Sequence, residues 1–221
     1  MLVQPDMPMR SNPWIWRTEF FGAFAALDLA LVKAGFRLAY IDVQNMYGAP
    51  IAMRYMDGFY SHAVDRFGLS HLCVLEGFSR GALFALNWAA RNPQSVACLY
   101  LDAPVCDFKS WPGGKGIAAG SVDDWRRLKL AYGFTEEQAL AYPSNPVDSL
   151  APIAAAGIPI IAVYGAADVD LPPEENILLL QRRYRALGGD ITVIAKPGVG
   201  HHPHSLSDPA PLSSFILSRI T

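Results

Sequence analysis

Short apolar runs and longer amphipathic segments alternate along this chain. The short runs predict strands, because they are continuous and rich in branched and aromatic residues. These strands are expected at 1–4, 36–43, 71–76, 96–102, 159–165 and 191–196. The longer segments predict helices at 17–34, 50–67, 80–92, 173–187 and 209–219. Strands that alternate with helices are typical of a mostly parallel sheet with helices on both faces, so the pattern predicts an α/β fold with about six strands.

The segment 108–156 is longer than a strand-to-helix connection requires. It begins with an aromatic, glycine-rich stretch and then has the pattern of short helices. We therefore predict a small cap insertion within a single domain, 1–221. Trp111 and Trp125 lie in this insertion and are predicted to contact substrate, with the alternative that they only hold the cap together.

Composition and charge narrow the function class. The chain has 221 residues, of which 52% are hydrophobic, so it can bury one large core without disulfides. Its net charge of -2 leaves no basic stripe to neutralise phosphates, which argues against a nucleic-acid partner. The apolar run 20–32 contains Asp28 and is too short to span a bilayer, so no membrane partner is expected.

The three cysteines do not suggest a disulfide framework. Cys73 and Cys98 fall in predicted core strands, whereas Cys106 follows a strand and is the candidate for an exposed thiol. The residues around Cys106 do not predict an activated thiolate. A reducing, cytoplasmic location is expected, and an upstream signal peptide remains the alternative.

The sequence Gly77-Phe78-Ser79-Arg80-Gly81 joins a predicted strand to a predicted helix. A serine at such a turn needs small neighbours, because the backbone bends tightly there. The turn exposes the hydroxyl and directs the N-terminus of the next helix at it, which favours a developing negative charge. Ser79 is therefore a candidate nucleophile.

Two later motifs supply partners for Ser79. Gly165-Ala166-Ala167-Asp168 ends one predicted strand, and Gly198-Val199-Gly200-His201 follows another. A carboxylate that orients a histidine, which in turn takes the serine proton, activates a serine that is otherwise a weak nucleophile. Asp102 and Asp170 remain alternatives for the acid, and His202 remains an alternative for the base.

Through these three motifs, in the order serine, acid, histidine, the chain resembles the α/β-hydrolases. The resemblance implies that Ser79, Asp168 and His201 are catalytic and that the backbone N–H of Arg80 contributes to an oxyanion hole. It also places the second oxyanion donor in the loop after the strand 1–4, where Trp14 is the best candidate. Trp16 is predicted to bind substrate, with a role as a core anchor as the alternative.

The resemblance departs at the start of the chain, where the first two strands of the family have no counterpart. The strand 36–43 would then be an edge, and exposed edges tend to pair with other chains. We therefore expect a homodimer through this strand.

No cofactor is expected, because no glycine-rich phosphate or dinucleotide motif follows a strand. His201, His202 and His204 raise the question of zinc, but their spacing does not fit a helical pair and Pro203 interrupts the run, so no metal is expected. His204 is predicted to pack locally and hydrogen-bond the loop. The prediction is a serine esterase that cleaves short-chain or carbohydrate-linked carboxylic esters through an acyl-enzyme. The alternatives are a peptidase or amidase of the same fold and a non-catalytic binding protein.

Overall fold

The computed structural model describes residues 1–220, and within them the chain forms one seven-stranded sheet. The strands are β1 (Leu2–Val3), β2 (Trp14–Arg17), β3 (Arg37–Tyr40), β4 (Cys73–Phe78), β5 (Val96–Asp102), β6 (Ile160–Gly165) and β7 (Ile191–Lys196). Their order across the sheet is β1-β3-β2-β4-β5-β6-β7. Only β1 pairs antiparallel, and all other neighbouring strands are parallel. Because parallel strands end at the same edge, the loops after β2, β4, β5, β6 and β7 lie along one side of the molecule.

Eight α-helices accompany the sheet in residues 1–220. They are α1 (Ala26–Lys33), α2 (Pro50–Phe67), α3 (Gly81–Arg91), α4 (Val122–Tyr132), α5 (Glu136–Leu140), α6 (Ala151–Ala155), α7 (Ile177–Ala186) and α8 (Ala210–Leu217). Short 3₁₀ turns occupy Pro93–Ser95 and Pro146–Asp148. Among these described helices, none has both the length and the apolar composition that crossing a bilayer would take.

The hydrophobic core has two parts, one on each face of the sheet. The larger part packs α2, α3, α4, α6 and α7 against one face, and the smaller part packs α1 and α8 against the other. Successive residues of the central strands alternate between them: Leu75 joins the larger part, whereas Val74 and Phe78 join the smaller. The predicted fold class, a mostly parallel sheet with helices on both faces, is confirmed.

The sequence did not predict β2. The sequence pattern predicts a loop and the start of the helix 17–34 here, but all four residues of β2 are buried and extended. The helix begins only at Ala26, since Phe20, Gly22 and Phe24 have positive φ angles that a helix does not allow. A four-residue strand that is buried on both faces shows no alternation of polar and apolar residues.

The strand at 36–43 is not an edge, and this prediction was wrong. β3 pairs with β1 on one side and with β2 on the other. The antiparallel strand β1 forms the edge in its place. The homodimer predicted through strand 36–43 therefore loses its physical basis.

The segment 108–156, predicted to be a cap insertion, contains α4, α5 and α6, and it packs into the larger part of the core. Phe108, Leu128 and Ile153 are buried together with residues of α3. The insertion is thus held by the same hydrophobic contacts that hold the helices on this face of the sheet. Helix α4 approaches the end of β4, where Asp124 contacts the Arg80 side chain.

All three cysteines are free and buried, so the prediction of an exposed thiol at Cys106 is wrong. Burial raises the pKa of each thiol. Thiols in this environment stay protonated and behave as small apolar side chains.

A cluster of buried charged groups lies beneath the end of β4. The Arg17 guanidinium is 2.8 Å from Asp28 and 3.5 Å from Glu76, and all three side chains are buried. Burial and the Asp28 carboxylate raise the pKa of Glu76 well above its ordinary value, although Arg17 opposes the shift. A protonated Glu76 can donate to Asp28, which provides a partner for carboxylate oxygens that otherwise lack one among the described residues.

Candidate active site

Ser79 occupies the turn between β4 and α3. Its φ angle is +48°, a left-handed conformation that is uncommon for a residue with a side chain. Two backbone hydrogen bonds hold the turn against β5 and the loop after it: Ser79 N donates to Asp102 O at 2.8 Å, and Val105 N donates to Ser79 O at 3.0 Å. Strain that the surrounding structure enforces in this way is common at functional sites.

The glycine two residues before Ser79 is required by close packing. A Cβ atom at Gly77 would lie 2.8 Å from Ala82 Cα, closer than real carbon contacts allow. The helix α3 can therefore leave the strand at this sharp angle only because position 77 has no side chain. Gly81 is less constrained, since its nearest neighbour would be Thr18 Oγ1 at 3.2 Å.

The structure brings Ser79, His201 and Asp168 together. Ser79 Oγ is 3.0 Å from His201 Nε2, and His201 Nδ1 is 2.8 Å from Asp168 Oδ2. Asp168 lies in the loop after β6, and His201 lies in the loop after β7. The side chains of His201 and Asp168 are 12% and 2% exposed, so water screens their contact little. With a proton on Nδ1 directed at Asp168, Nε2 faces the serine as an acceptor.

The other acids considered from the sequence lie elsewhere. Asp102 is 2.7 Å from His204 Nδ1 and also accepts from the Tyr100 hydroxyl and the Ser205 N–H. It thus forms a second histidine–carboxylate pair, which is buried. Asp170 is exposed, and within residues 1–220 its carboxylate makes no hydrogen bond to His201.

His202 is exposed and does not contact Asp168 within hydrogen-bond distance in the described part of the chain. Partial desolvation and the two neighbouring histidines lower its pKa. His204 packs against Phe78 and Phe24 and bonds to Asp102 at the end of β5, so its structural role agrees with the prediction, but its partners lie outside its own loop.

A cavity of about 150 Å³ opens beside Ser79. Its walls are aromatic and apolar apart from the serine and the histidines, and they consist of Phe20, Ala23, Phe24, Phe78, Ser79, His201, His202 and His204. Phe20 and Phe24 come from the loop after β2, which the sequence had assigned to a helix. Gly22, between Phe20 and Phe24, was the available sequence signal for this loop, because glycine interrupts a helical pattern.

Trp14 does not lie near Ser79, and its assignment to the oxyanion hole was wrong. It begins β2, and the register of β2 against β4 places it at the opposite end of the sheet from Ser79. Its indole Nε1 donates to Ser70 O at 2.8 Å. The error follows from the missed strand, because the loop that faces Ser79 comes after Arg17.

The N–H of Arg80 has no hydrogen-bond partner among residues 1–220 and lies directly after Ser79. The loop from Thr18 to Phe21 lies alongside: the Thr18 hydroxyl donates to Gly81 O at 2.8 Å. The N–H groups of Glu19 and Phe20 in this loop are also without partners in the described chain. Unpaired donors from two segments thus occur close to the serine.

The Arg80 side chain links the turn after β4 to the loop after β2 and to α4. It contacts the buried Glu19 at 2.8 Å and Asp124 of α4 at 3.4 Å. Burial raises the pKa of Glu19, and the Arg80 guanidinium counteracts part of that rise. The sequence did not predict a role for Glu19, because its partner Arg80 is distant along the chain and a single acidic residue forms no recognisable motif.

The other tryptophans do not line the cavity beside Ser79. Trp16 is fully buried and packs against Trp14 and Trp88, which agrees with the alternative of a core anchor. Trp111 is half-buried against the larger part of the core. Trp125 is mostly buried, and its Nε1 donates to Glu136 at 2.9 Å. The predicted substrate contact of Trp16 is therefore wrong, since this side chain is fully buried in the core. Trp111 and Trp125 do not line this cavity, and their contact with substrate stays a prediction.

Comparisons with known proteins identify the architecture. No protein-family model and no curated protein matches the sequence. Among solved structures, Porphyromonas gingivalis dipeptidyl peptidase 4 is similar with a TM-score of 0.70 and 14% identity, over 99% of this chain and 33% of that one. Pyrococcus horikoshii acylaminoacyl peptidase gives a TM-score of 0.70 and 11% identity, over 90% of this chain and 34% of that one. Esterase PE8 gives a TM-score of 0.59 and 15% identity, over 99% of both chains.

This chain thus spans about a third of the length of the two peptidases and nearly all of the esterase. The TM-scores establish a common fold, whereas identities this low leave the function to be argued from the site itself. The chain has the α/β-hydrolase fold.

Proposed function

We propose that this protein is a serine hydrolase in which Ser79 is the nucleophile, His201 the general base and Asp168 the orienting acid. One observation carries the proposal: an unbroken hydrogen-bonded chain runs from Asp168 through His201 to Ser79, at 2.8 and 3.0 Å. The serine at its end lies in a strained turn beside an apolar cavity. Roles assigned by geometry in this way do not depend on sequence identity.

The reaction proceeds in two halves. Ser79 Oγ attacks the carbonyl carbon of the substrate while His201 Nε2 takes the hydroxyl proton. The tetrahedral intermediate collapses when His201 returns this proton to the leaving oxygen, which departs as an alcohol and leaves an acyl-Ser79 ester. A water molecule then attacks the acyl group, again with His201 as the base, and releases the carboxylic acid and free Ser79. Asp168 stays ionised throughout and stabilises the imidazolium that forms twice in each cycle.

The negative charge on the carbonyl oxygen is stabilised by backbone donors. The N–H of Arg80 is one, and the loop from Thr18 to Phe21 supplies the other in place of Trp14. The N-terminus of α3 follows Ser79 and adds its dipole to the same position. Donors that are fixed before the reaction cost no reorganisation, and one such donor typically contributes about 3 kcal/mol to transition-state stabilisation.

The favoured substrates are carboxylic esters with a short acyl chain. A cavity of about 150 Å³ with phenylalanine walls suits an apolar group of a few carbons. A sugar inside this cavity is disfavoured, because few hydrogen-bonding groups line the walls apart from Ser79 and the histidines, and this weighs against the carbohydrate-linked esters.

A peptidase or amidase activity of the same serine is the second candidate. Two of the structural neighbours are peptidases by name, and both give a TM-score of 0.70, against 0.59 for the esterase. The same residues would act on an amide, provided that His201 protonates the leaving amine.

The test compares matched ester and amide substrates. p-Nitrophenyl esters from acetyl to octanoyl, and p-nitroanilides of the same acyl groups, are assayed with the wild type and with Ser79→Ala. Ser214→Ala, an exposed serine on α8, is the matched control. We expect kcat/KM to be highest for acetyl to butyryl esters, to fall for longer chains and to vanish in Ser79→Ala only.

Two outcomes would change the assignment. Faster turnover of the anilides than of the esters would favour the peptidase. Equal hydrolysis by the wild type and Ser79→Ala, together with no labelling of Ser79 by a fluorophosphonate, would refute the serine hydrolase.

A further inference from the structure

Three imidazole rings converge beside Ser79. Each of His201, His202 and His204 presents one ring nitrogen, and these nitrogens all lie within 4.8 Å of one another. The ring centroids are 4.8–4.9 Å apart in each pair, and the rings meet edge to face. The proposed reaction needs one imidazole, so it leaves His202 and His204 without a chemical role.

Two of the three rings are held by buried carboxylates. Asp168 contacts Nδ1 of His201 at 2.8 Å, and Asp102 contacts Nδ1 of His204 at 2.7 Å. A histidine that binds a metal through one nitrogen usually gives its other N–H to a carboxylate, which fixes the ring and raises its basicity. The arrangement therefore leaves Nε2 of both rings as the nitrogen with a free electron pair. The two carboxylates also supply two negative charges, which match a divalent cation.

His202 differs from the other two because it is exposed and has no carboxylate within hydrogen-bond distance among residues 1–220. Zinc binds imidazole nitrogen at about 2.0–2.1 Å, so tetrahedral geometry requires nitrogens roughly 3.3 Å apart. The cluster is somewhat wider than this. His202 is exposed, so a change of its side-chain rotamer, with loss of its stacking on Phe24, can bring its nitrogen closer to the other two. The nitrogens of His201 and His204 start within 4.8 Å of each other, so small movements of these two rings complete the approach.

We propose that His201, His202 and His204 form a site for one divalent transition metal ion of the Zn²⁺ type. Three imidazoles favour such an ion over Mg²⁺ or Ca²⁺, which prefer oxygen ligands. The ion takes the Nε2 electron pair of His201, which is the pair that faces Ser79 Oγ. Metal binding and activation of Ser79 therefore exclude each other, and zinc is a reversible inhibitor. The inhibitory consequence rests on the proposed function, whereas the binding site does not.

Other zinc ligands on the chain do not compete strongly. All three cysteines are buried, and burial raises the pKa of their thiols. His62 and His71 are exposed and lie outside the cluster. His62 forms an edge contact with Phe67 and supplies a matched control for the removal of one exposed histidine.

Binding is measured directly on untagged protein freed of metal with a chelator. Zinc is titrated in competition with a chromophoric chelator, without substrate. We expect one ion per chain with a micromolar or tighter dissociation constant. His202→Asn should weaken zinc binding by at least about tenfold. Even the loss of a carboxylate that supports a metal-binding histidine lowers metal affinity by about 10- to 100-fold. His62→Asn should bind as the wild type does. No saturable binding below about 100 μM, or equal binding by the wild type and His202→Asn, would overturn the site.

The exclusion of Ser79 is measured by its labelling with a fluorophosphonate. Zinc at about ten times the wild-type dissociation constant should slow labelling about tenfold in the wild type and in His62→Asn, and at most about twofold in His202→Asn, whose site binds at least about tenfold more weakly. Zinc that binds without slowing the labelling would refute the inhibition. If Ser79 is not labelled even without zinc, the proposed function fails, and the titration alone still decides whether the metal site exists.

Discussion

The substitution Asp168→Asn tests the proposed triad most sharply. In the wild type, Asp168 Oδ2 contacts His201 Nδ1 at 2.8 Å, and Oδ1 accepts the N–H groups of Asp170 and Leu171 at 3.0 and 2.8 Å. In the variant, the side-chain carbonyl oxygen keeps these two backbone donors. Its NH₂ group then faces His201 Nδ1, which cannot remain a donor.

The consequence for His201 is a change of tautomer. Its proton moves to Nε2, where it faces Ser79 Oγ at 3.0 Å, and Nε2 can no longer accept the serine proton. Loss of the correct tautomer in a triad costs roughly 10⁴ in kcat, or about 5.5 kcal/mol of transition-state stabilisation. KM should change little, because the carboxylate is buried behind the histidine and does not line the cavity.

The assay compares kcat for the best p-nitrophenyl ester in three single variants. Asp170→Asn is the exposed neighbour and should retain wild-type kcat within about twofold. Asp102→Asn replaces one of the two buried carboxylate oxygens by an NH₂ group, which disturbs the bond to His204, and should cost about 1–3 kcal/mol of folding stability, with kcat within about tenfold. An Asp168→Asn protein with nearly full activity, beside an inactive but folded Asp102→Asn protein, would refute the reasoning.

Two further predictions concern stability and are measured by urea unfolding. Gly77→Ala should lower the free energy of unfolding by about 1–3 kcal/mol, because its Cβ would lie 2.8 Å from Ala82 Cα. A Cβ at Gly58, in the exposed middle of α2, would meet no atom within 4 Å, so Gly58→Ala should instead raise the free energy of unfolding by about 0.5–1 kcal/mol. An equal effect of the two substitutions would contradict the packing argument. Burial and Asp28 raise the pKa of Glu76 in the folded protein, so folding favours its neutral form and its contribution to stability declines as pH rises above about 4.3 towards the raised pKa. Glu76→Gln, which stays neutral, should therefore be increasingly stable relative to the wild type as pH rises, and a difference independent of pH would contradict this.

Much of the fold could be predicted from the sequence because its signals are local. Gly77 and Gly81 around Ser79, between an apolar run and a helical one, predicted a turn that the structure contains. The short strand β2 gave no such signal, since its buried Arg17 reads as a polar loop residue until Asp28 and Glu76 are seen beside it. Missing β2 displaced the loop expected to face the serine, and this led to the wrong choice of Trp14.

By itself, the sequence determined the α/β architecture, the position of the serine turn and a short set of acids and histidines near it. Only the tertiary structure decided which acid meets which histidine: Asp168 pairs with His201 and Asp102 with His204, across 33 and 102 residues. It also brought three imidazoles together, although the spacing of His201, His202 and His204 along the chain had argued against a metal site. The physical reason is that a turn or a helix depends on neighbouring residues. A contact between loops depends instead on the order in which the strands pair, because that order decides which loops meet at the edge of the sheet.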